Sequence, residues 1–371
     1  MIGIFSFFAG AGFLDLGFEM TNHFRTLYVN EYKESFNRIY RYARNSMHID
    51  SPIFGHHIGD ITELLQKENI KDLKEYIDKA RQIDDMELIG FIGGPPCPDF
   101  SVAGRNRGKE GENGKLSQTY VDLICNVKPD FFLFENVKGL YRTSKHREFF
   151  DLLKSKLKKY GYCLTEQLVN SIEYGAAQDR DRIILIGFQK DVLKKFGKQS
   201  ESGEIVGFDW ESPKKFTREV FNLPWPSKSK YQQDTQTPMP EGLISELTIM
   251  HWWTINDVEN HPNSSMFFTP KAGLSRFETK DEGDCEKKCY KRLHRWRYSP
   301  TAAYGNNEVH IHPYKARRIS VSEALAIQSL PKEFVIPADI TLTDAFKTIG
   351  NGVPYVLARG IAESIHNFVT K

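Results

Sequence analysis

Ile2-Gly3-Ile4-Phe5-Ser6-Phe7-Phe8-Ala9-Gly10-Ala11-Gly12-Phe13 is the stretch that decides how the rest of the chain reads. An apolar run of strand length ends in a glycine turn, and Phe13–Met20 follows with helical spacing. Glycines between a first strand and a first helix let the backbone approach a ligand, and the helix N-terminus favours negative groups. A dinucleotide fingerprint needs a small residue at position 15. Asp15 stands there and argues against a bound pyrophosphate. Ile2–Phe18 is apolar enough to resemble the core of a secretory signal. It has no basic residue ahead of it and contains Asp15, so a buried first strand is expected instead.

Working outward, short apolar runs alternate with helical stretches up to about residue 190. Strands are expected at Thr26–Asn30, Glu87–Ile92, Phe131–Phe134 and Ile183–Phe188, with helices at Lys33–Arg44, Ser117–Val127 and His146–Tyr160. That alternation predicts an α/β fold with a mostly parallel sheet covered on both faces. Residues 191–316 are rich in Lys, Ser, Pro and aromatics, with weak periodicity, and read as a smaller inserted domain, irregular and partly β. Ser320-Val321-Ser322-Glu323 is a capping box opening another helix, and a last helix runs from Pro354 to Phe368. The expected division is 1–190 plus 345–371, an insert at 191–316, and a connecting segment at 317–344.

The 371 residues carry 50 Lys+Arg against 48 Asp+Glu, a net charge of +2, and 40% are hydrophobic. Those values exclude a disordered tail or a fibre, and no apolar run is long enough to span a membrane. Five cysteines without dense regular spacing argue against a disulfide framework and for a reducing cytoplasm. With the charge so nearly balanced, any nucleic-acid-facing charge must be concentrated locally.

Candidate functional residues cluster after strands. Glu31 closes the second strand at the reach, about 20 residues on, of a carboxylate that grips ribose hydroxyls. Gly59-Asp60-Ile61 offers a second carboxylate beside an apolar side chain, suited to an adenine edge and face. Gly93-Gly94-Pro95-Pro96-Cys97 places a cysteine past a rigid turn at the carboxyl edge of the sheet, where such folds place their chemistry. Cys125 and Cys163 read as ordinary buried thiols. Glu135 ends the run Phe131–Phe134, and partial burial there would raise its pKa and let it donate a proton. In Gln178-Asp179-Arg180-Asp181-Arg182 the two arginines point the same way on an extended chain, as a clamp for phosphate or carbonyl oxygens needs. Residues 101–115, with Ser101, Arg105 and Arg107, suit a loop that closes over a ligand. Lys287, Lys288, Arg292, Arg295 and Arg297, interleaved with aromatics, read as a phosphate-contacting edge. Cys285, Cys289 and His294 supply too few ligands for zinc, so no metal is expected.

These motifs, taken in order, resemble the DNA (cytosine-5)-methyltransferases of bacterial restriction–modification systems. The matching segments are Phe8 to Gly12, Asn30-Glu31-Tyr32, Gly59-Asp60-Ile61, Pro96-Cys97, Glu135-Asn136-Val137, Gln178 to Arg182, Arg318 through Pro331, and Gly350-Asn351-Gly352-Val353-Pro354. The resemblance implies a Rossmann-like methyltransferase sheet and S-adenosylmethionine as cofactor. It implies that this cofactor is held by Phe8, Gly10, Ala11, Gly12, Phe13, Glu31, Tyr32, Asp60, Ile61, Pro96, Asn351, Gly352 and Val353. It also implies a cytosine flipped out of double-stranded DNA, attacked at C6 by Cys97, with Glu135 at its N3/N4 edge and Arg182 at its O2. Covalent activation is needed because C5 of cytosine is a poor nucleophile alone.

The gap at 191–316 is where such proteins carry target recognition. A separate endonuclease acting on the same site is a further implied partner, and a monomer is expected. Pro98 stands where the family usually has Gln, Phe13 where it commonly has Gly, and Gly352 where it commonly has Ser or Ala. Two other readings compete. A tRNA methyltransferase on the same scaffold would carry a Cys-Phe-Thr signature, which is missing here, and a catalytically silent binding module would not need Cys97, Glu135 and Arg182.

Overall fold

The computed structural model describes residues 1–96, 112–270, 273–287, 289–302, 304 and 308–370. Its centre is a sheet of nine strands: β1 (Ile2–Phe7), β2 (Phe24–Glu31), β3 (His56–Ile58), β4 (Leu88–Gly93), β5 (Phe131–Val137), β6 (Tyr162–Asn170), β7 (Asp181–Gln189), β8 (Ser200–Glu201) and β9 (Glu204–Ile205). Their order across the sheet is β3-β2-β1-β4-β5-β7-β6-β9-β8. From β3 to β5 all neighbours are parallel, whereas β7 runs antiparallel to both β5 and β6. The expected parallel character therefore holds for five strands and gives way to a mixed sheet beyond them. β1, β4 and most of β5 are buried on both faces, which is why they read as unbroken apolar runs.

Helices cover both faces: α1 (Phe13–Glu19), α2 (Glu34–Ser46), α3 (Lys67–Ala80), α4 (Glu112–Val127), α5 (Ser144–Lys159) and, from the far end of the chain, α11 (Tyr355–Thr370). One face of the sheet packs Phe5, Phe7, Phe91, Phe132 and Phe134 against residues of α3, α4 and α5. The other packs Ile2, Ile4, Ile92, Leu133 and Ile186 against Leu357, Ile361 and Ile365 of α11. The remaining elements are short: α6 (Lys190–Lys195), α7 (Ile249–Ile255), α8 (Ser275–Thr279), β10 (Lys291–Arg292), β11 (His310–Ile311), α9 (Val321–Ile327) and α10 (Leu342–Asn351). No described helix is long and apolar enough to cross a membrane.

The core does not divide where the sequence suggests. β8 and β9 extend the sheet past residue 190, and Ile205 and Trp210 join the same core as β1. Trp252 and Trp253 of α7 share a third core with Phe13, Leu16 and Ile39 of α1 and α2 and with residues of α9 and α10. Part of the 191–316 segment is thus built into the body of the protein.

Close strand packing depends on one glycine in particular. A Cβ at Gly90 of β4 would lie 2.1 Å from the ring of Phe131, its partner in β5. Both residues are central, so the ring has little room to swing away. Gly90→Ala is expected to cost about 1–3 kcal/mol by overpacking, read as a lower urea midpoint. An unchanged midpoint would mean that the Phe131 ring repacks freely.

Candidate active site at the carboxyl edge of the sheet

The order of strands reverses at β1, which lies between β2 and β4, and such a switch point opens a crevice at the carboxyl ends of the parallel strands. Phe8, Gly10 and Gly12 turn through positive φ there (53°, 58° and 76°). For Phe8 this is a strained conformation. The turn is anchored by Ala9 N donating to Asn30 O (3.2 Å) and Gly12 N to Ala9 O (2.8 Å). Glu31, at the end of β2, accepts from Gly10 N (2.7 Å) and Lys33 N (2.9 Å). Burial pushes its pKa up, against those two backbone donors. Asn30 donates to Gly59 O (3.0 Å), which draws the exit of β3 beside Glu31, and Asp60 Oδ1 accepts from Thr62 N (2.8 Å). Tyr32 is 74% exposed at the rim.

Four of the expected cofactor residues turn their side chains elsewhere. Ala11, Phe13, Ile61 and Val353 are buried in the hydrophobic cores, so only their backbones are left to face the crevice. Gly10 has room above it. Among the described residues a Cβ there would meet only Thr348 Oγ1, at 3.7 Å, and that buried hydroxyl has no hydrogen-bond partner among them. Together with the Glu31 carboxylate, this cradle suits a compact polar ligand carrying a nucleoside.

Beneath the turn lies a buried group of charges that the sequence reading does not identify. Arg44 of α2 donates to Gly12 O (2.9 Å), pairs with Glu19 (3.0 Å) and stacks on the Tyr40 ring at 3.6 Å. Asp15 accepts from Ser6 Oγ (2.8 Å), and burial, opposed by Arg44, raises its pKa to about 6. No local signal marks Arg44's grip on the turn, because its hydrogen-bonding partners lie 25 to 33 residues away.

The second half of the edge comes from β4, β5 and β7. β7 is antiparallel to β5, so its first residues lie beside the last residues of β5, with Arg182 opposite Val137 and Ile184 opposite Glu135. Arg182 Nε meets Glu135 Oε1 at 2.7 Å, and both side chains are about 10% exposed. Glu135 is buried as expected, but it faces a cation. Gly94 makes room for it, since a Cβ at Gly94 would come within 2.6 Å of Glu135 Oε2. Asn136 Nδ2 reaches Pro95 O (3.4 Å), tying the end of β5 to the turn whose last described residue is Pro96. Cys97, Ser101, Arg105, Arg107 and Lys288 lie outside the described residues.

Arg180 is not half of a clamp. It is 1% exposed, and its guanidinium donates to Ala302 O (2.8 Å), Gly350 O (2.8 Å) and Gly352 O (2.9 Å). Gln178, quoted in the motif but given no role, accepts from Ala302 N (3.0 Å) and donates to Gln328 Oε1 (3.1 Å). The pair ties the start of β7 to residues 302, 328 and 350–352. Arg292 and Arg295 also leave the expected phosphate-contacting edge. Arg292 is buried on the carbonyls of Lys280, His312 and Phe277, and Arg295 is buried on Glu282 (2.9 Å). A segment with little regular structure leaves carbonyls unpaired, and guanidinium groups satisfy them from within. Lys287 is exposed and Arg297 half-buried, so these two stay near the surface.

The raised pKa of Asp15 has a signed consequence. The folded chain holds a proton that the unfolded chain, at its ordinary 3.8, releases, so stability falls as pH rises from about 4 to about 6. Relative to Asp15→Asn, the native protein should lose roughly 2–3 kcal/mol of unfolding free energy across that window and little above it. Urea titrations of both proteins at several pH values read the difference. A difference that is flat, or that grows with pH, would show that Arg44 keeps Asp15 ionised throughout.

The comparisons with known proteins point the same way. The family model for C-5 cytosine-specific DNA methylase matches residues 2–367. The type II methyltransferase M.NmeDI of Neisseria meningitidis serogroup C is 54% identical over 369 residues, covering 99% of this chain and 84% of that protein. M.NgoPII of Neisseria gonorrhoeae is 30% identical over 98% of this chain and 94% of its own length. Among solved structures, a protein described as a DNA modification methyltransferase encoded within an E. coli prophage superposes with a TM-score of 0.66, at 22% identity and full coverage of both chains. The S. pombe Dnmt2 methyltransferase does so at 0.62, with 13% identity and 99% coverage of both. At those identities the structural likeness concerns the fold alone. Matched along nearly its whole length, the chain belongs to the C-5 cytosine-specific DNA methylases of the type II restriction–modification kind, enzymes that take their methyl group from S-adenosylmethionine.

Proposed function

We propose that the protein methylates C5 of one cytosine within a specific double-stranded DNA sequence, with the target base flipped out of the duplex and held covalently by Cys97 during the transfer. The observation that carries this reading is the convergence at one sheet edge of the Gly94–Pro96 turn, the Glu135–Arg182 pair and the glycine turn with Glu31. S-adenosylmethionine, when bound, supplies an electrophilic methyl group. Phe8 to Gly12, Glu31 and Asn351 to Val353 would hold it. Asp60 and Tyr32 would face its base.

The chain's own residues do the rest. The Cys97 thiolate adds to C6 of the flipped cytosine, and the electron pair displaced from the C5–C6 double bond becomes available at C5. Glu135 holds the N3/N4 edge of the ring and Arg182 its O2, so the charges that pair in the free protein become the two grips on the base. C5 takes the methyl group. Removal of the C5 proton then restores the double bond and expels the sulfur from C6. Residues 191–316 would read the sequence, with Lys287 and Arg297 offering charge to the phosphates. The protein would act as a monomer in the cytoplasm, with a cognate endonuclease cutting the same site independently.

Cys97→Ala is expected to keep DNA binding and lose methyl transfer, and Glu135→Gln to slow it by roughly 10²-fold or more. On duplex DNA carrying 5-fluorocytosine at the target, the native protein should form an adduct that survives denaturing electrophoresis, and Cys97→Ala should not. Wild-type turnover by Cys97→Ala would exclude the covalent route.

A further inference from the structure

Phe13 and Gly352, two of the positions where this chain departs from the family pattern, meet in space. Gly352 has an ordinary backbone conformation (φ −64°, ψ 152°), so glycine is not required there by its dihedrals. It is required by space: a Cβ on Gly352 would lie 2.1 Å from Cδ2 and 2.7 Å from Cε2 of Phe13. The Phe13 ring cannot easily retreat. It is 2% exposed and abuts the Phe334 ring edge-on, with centroids 5.2 Å apart. On its other side the 350–352 segment is fixed by carbonyl bonds from Arg180 and by Gln328 Nε2 on Ile349 O (2.5 Å). Phe13 is also the first residue of α1, directly after Gly12 of the cofactor turn.

We propose that Phe13 and Gly352 form an interlocked pair, bulk on one side and absence of a side chain on the other, that sets the spacing between the glycine turn and the Asn351–Val353 lip. Phe13 is thereby a positioning residue for the cofactor. The idea rests on the methyltransferase reading above. A methyl group at 352 pushes the lip away from the turn or drives the ring into Phe334. Removing the ring relieves that collision, so the effects of the two positions are coupled rather than additive.

The test is equilibrium binding of S-adenosylhomocysteine by calorimetry to four full-length proteins: native, Gly352→Ala, Phe13→Ala and the double variant. Gly352→Ala should bind at least about tenfold more weakly, and the double variant should recover most of that loss, a coupling of the size expected for residues in contact. Thermal unfolding without ligand accompanies each measurement. If Gly352→Ala does not fold, recovery of both fold and affinity in the double variant reports the same coupling, and a double variant that also fails overturns it. Native-like affinity in Gly352→Ala, or losses that simply add in the double variant, would likewise overturn the proposal. A native protein that binds no S-adenosylhomocysteine would instead refute the methyltransferase reading itself.

Discussion

The contact between Arg182 and Glu135 is the interaction on which the rest of the site depends, and it exists because one strand runs backwards. Had β7 been parallel to β5, its first residues would lie at the opposite edge of the sheet, away from Glu135 and the Gly94–Pro96 turn. Antiparallel pairing puts the start of β7 beside the end of β5, so two buried, oppositely charged groups occupy one edge. Neither group is stable there alone. An unpaired carboxylate or guanidinium with so little water around it carries a large desolvation cost, which the partner offsets. The free protein thus stores a matched pair of charges at the place where a polar base edge is proposed to bind.

A second layer of buried cations holds the backbone that forms the pocket. Arg44 grips the glycine turn from below, and Arg180 grips the 350–352 lip through its carbonyls. Burial works against the charge on Arg180, so its contribution comes from the geometry of its carbonyl bonds rather than from an ion pair. Arg292 does the same on carbonyls in the irregular segment, where β10 and β11 are only two residues each, and Arg295 adds an ion pair with Glu282 to its bond on Thr235 O. Arginine suits this work because one planar group presents several donors in fixed directions.

Much of the fold is legible in the sequence where burial on both faces leaves an uninterrupted apolar run, as in β1, β4, β5 and β7. β6 is not assigned, because its middle residues, Thr165 to Leu168, are half-buried and mostly polar. α3 escapes for a related reason: only Leu73, Ile77 and Ala80 of its fourteen residues are buried. At the site, glycine turns and strand-end carboxylates are visible because they are local patterns. Arg180, Arg292 and Arg295 mislead because a charged side chain looks the same in sequence whether it faces phosphate or a buried partner elsewhere in the chain, more than a hundred residues away for Arg180 and 12 to 60 for the other two. The Phe13–Gly352 pair is visible as two departures from the family pattern, but only their proximity gives them one explanation.

The most direct measurement is bisulfite sequencing of DNA from a host that lacks cytosine methylation and expresses this chain. The proposed chemistry predicts protection of a single cytosine at every copy of one short recurring sequence, and of no other cytosine. DNA converted throughout, from cells that contain folded protein, would contradict it.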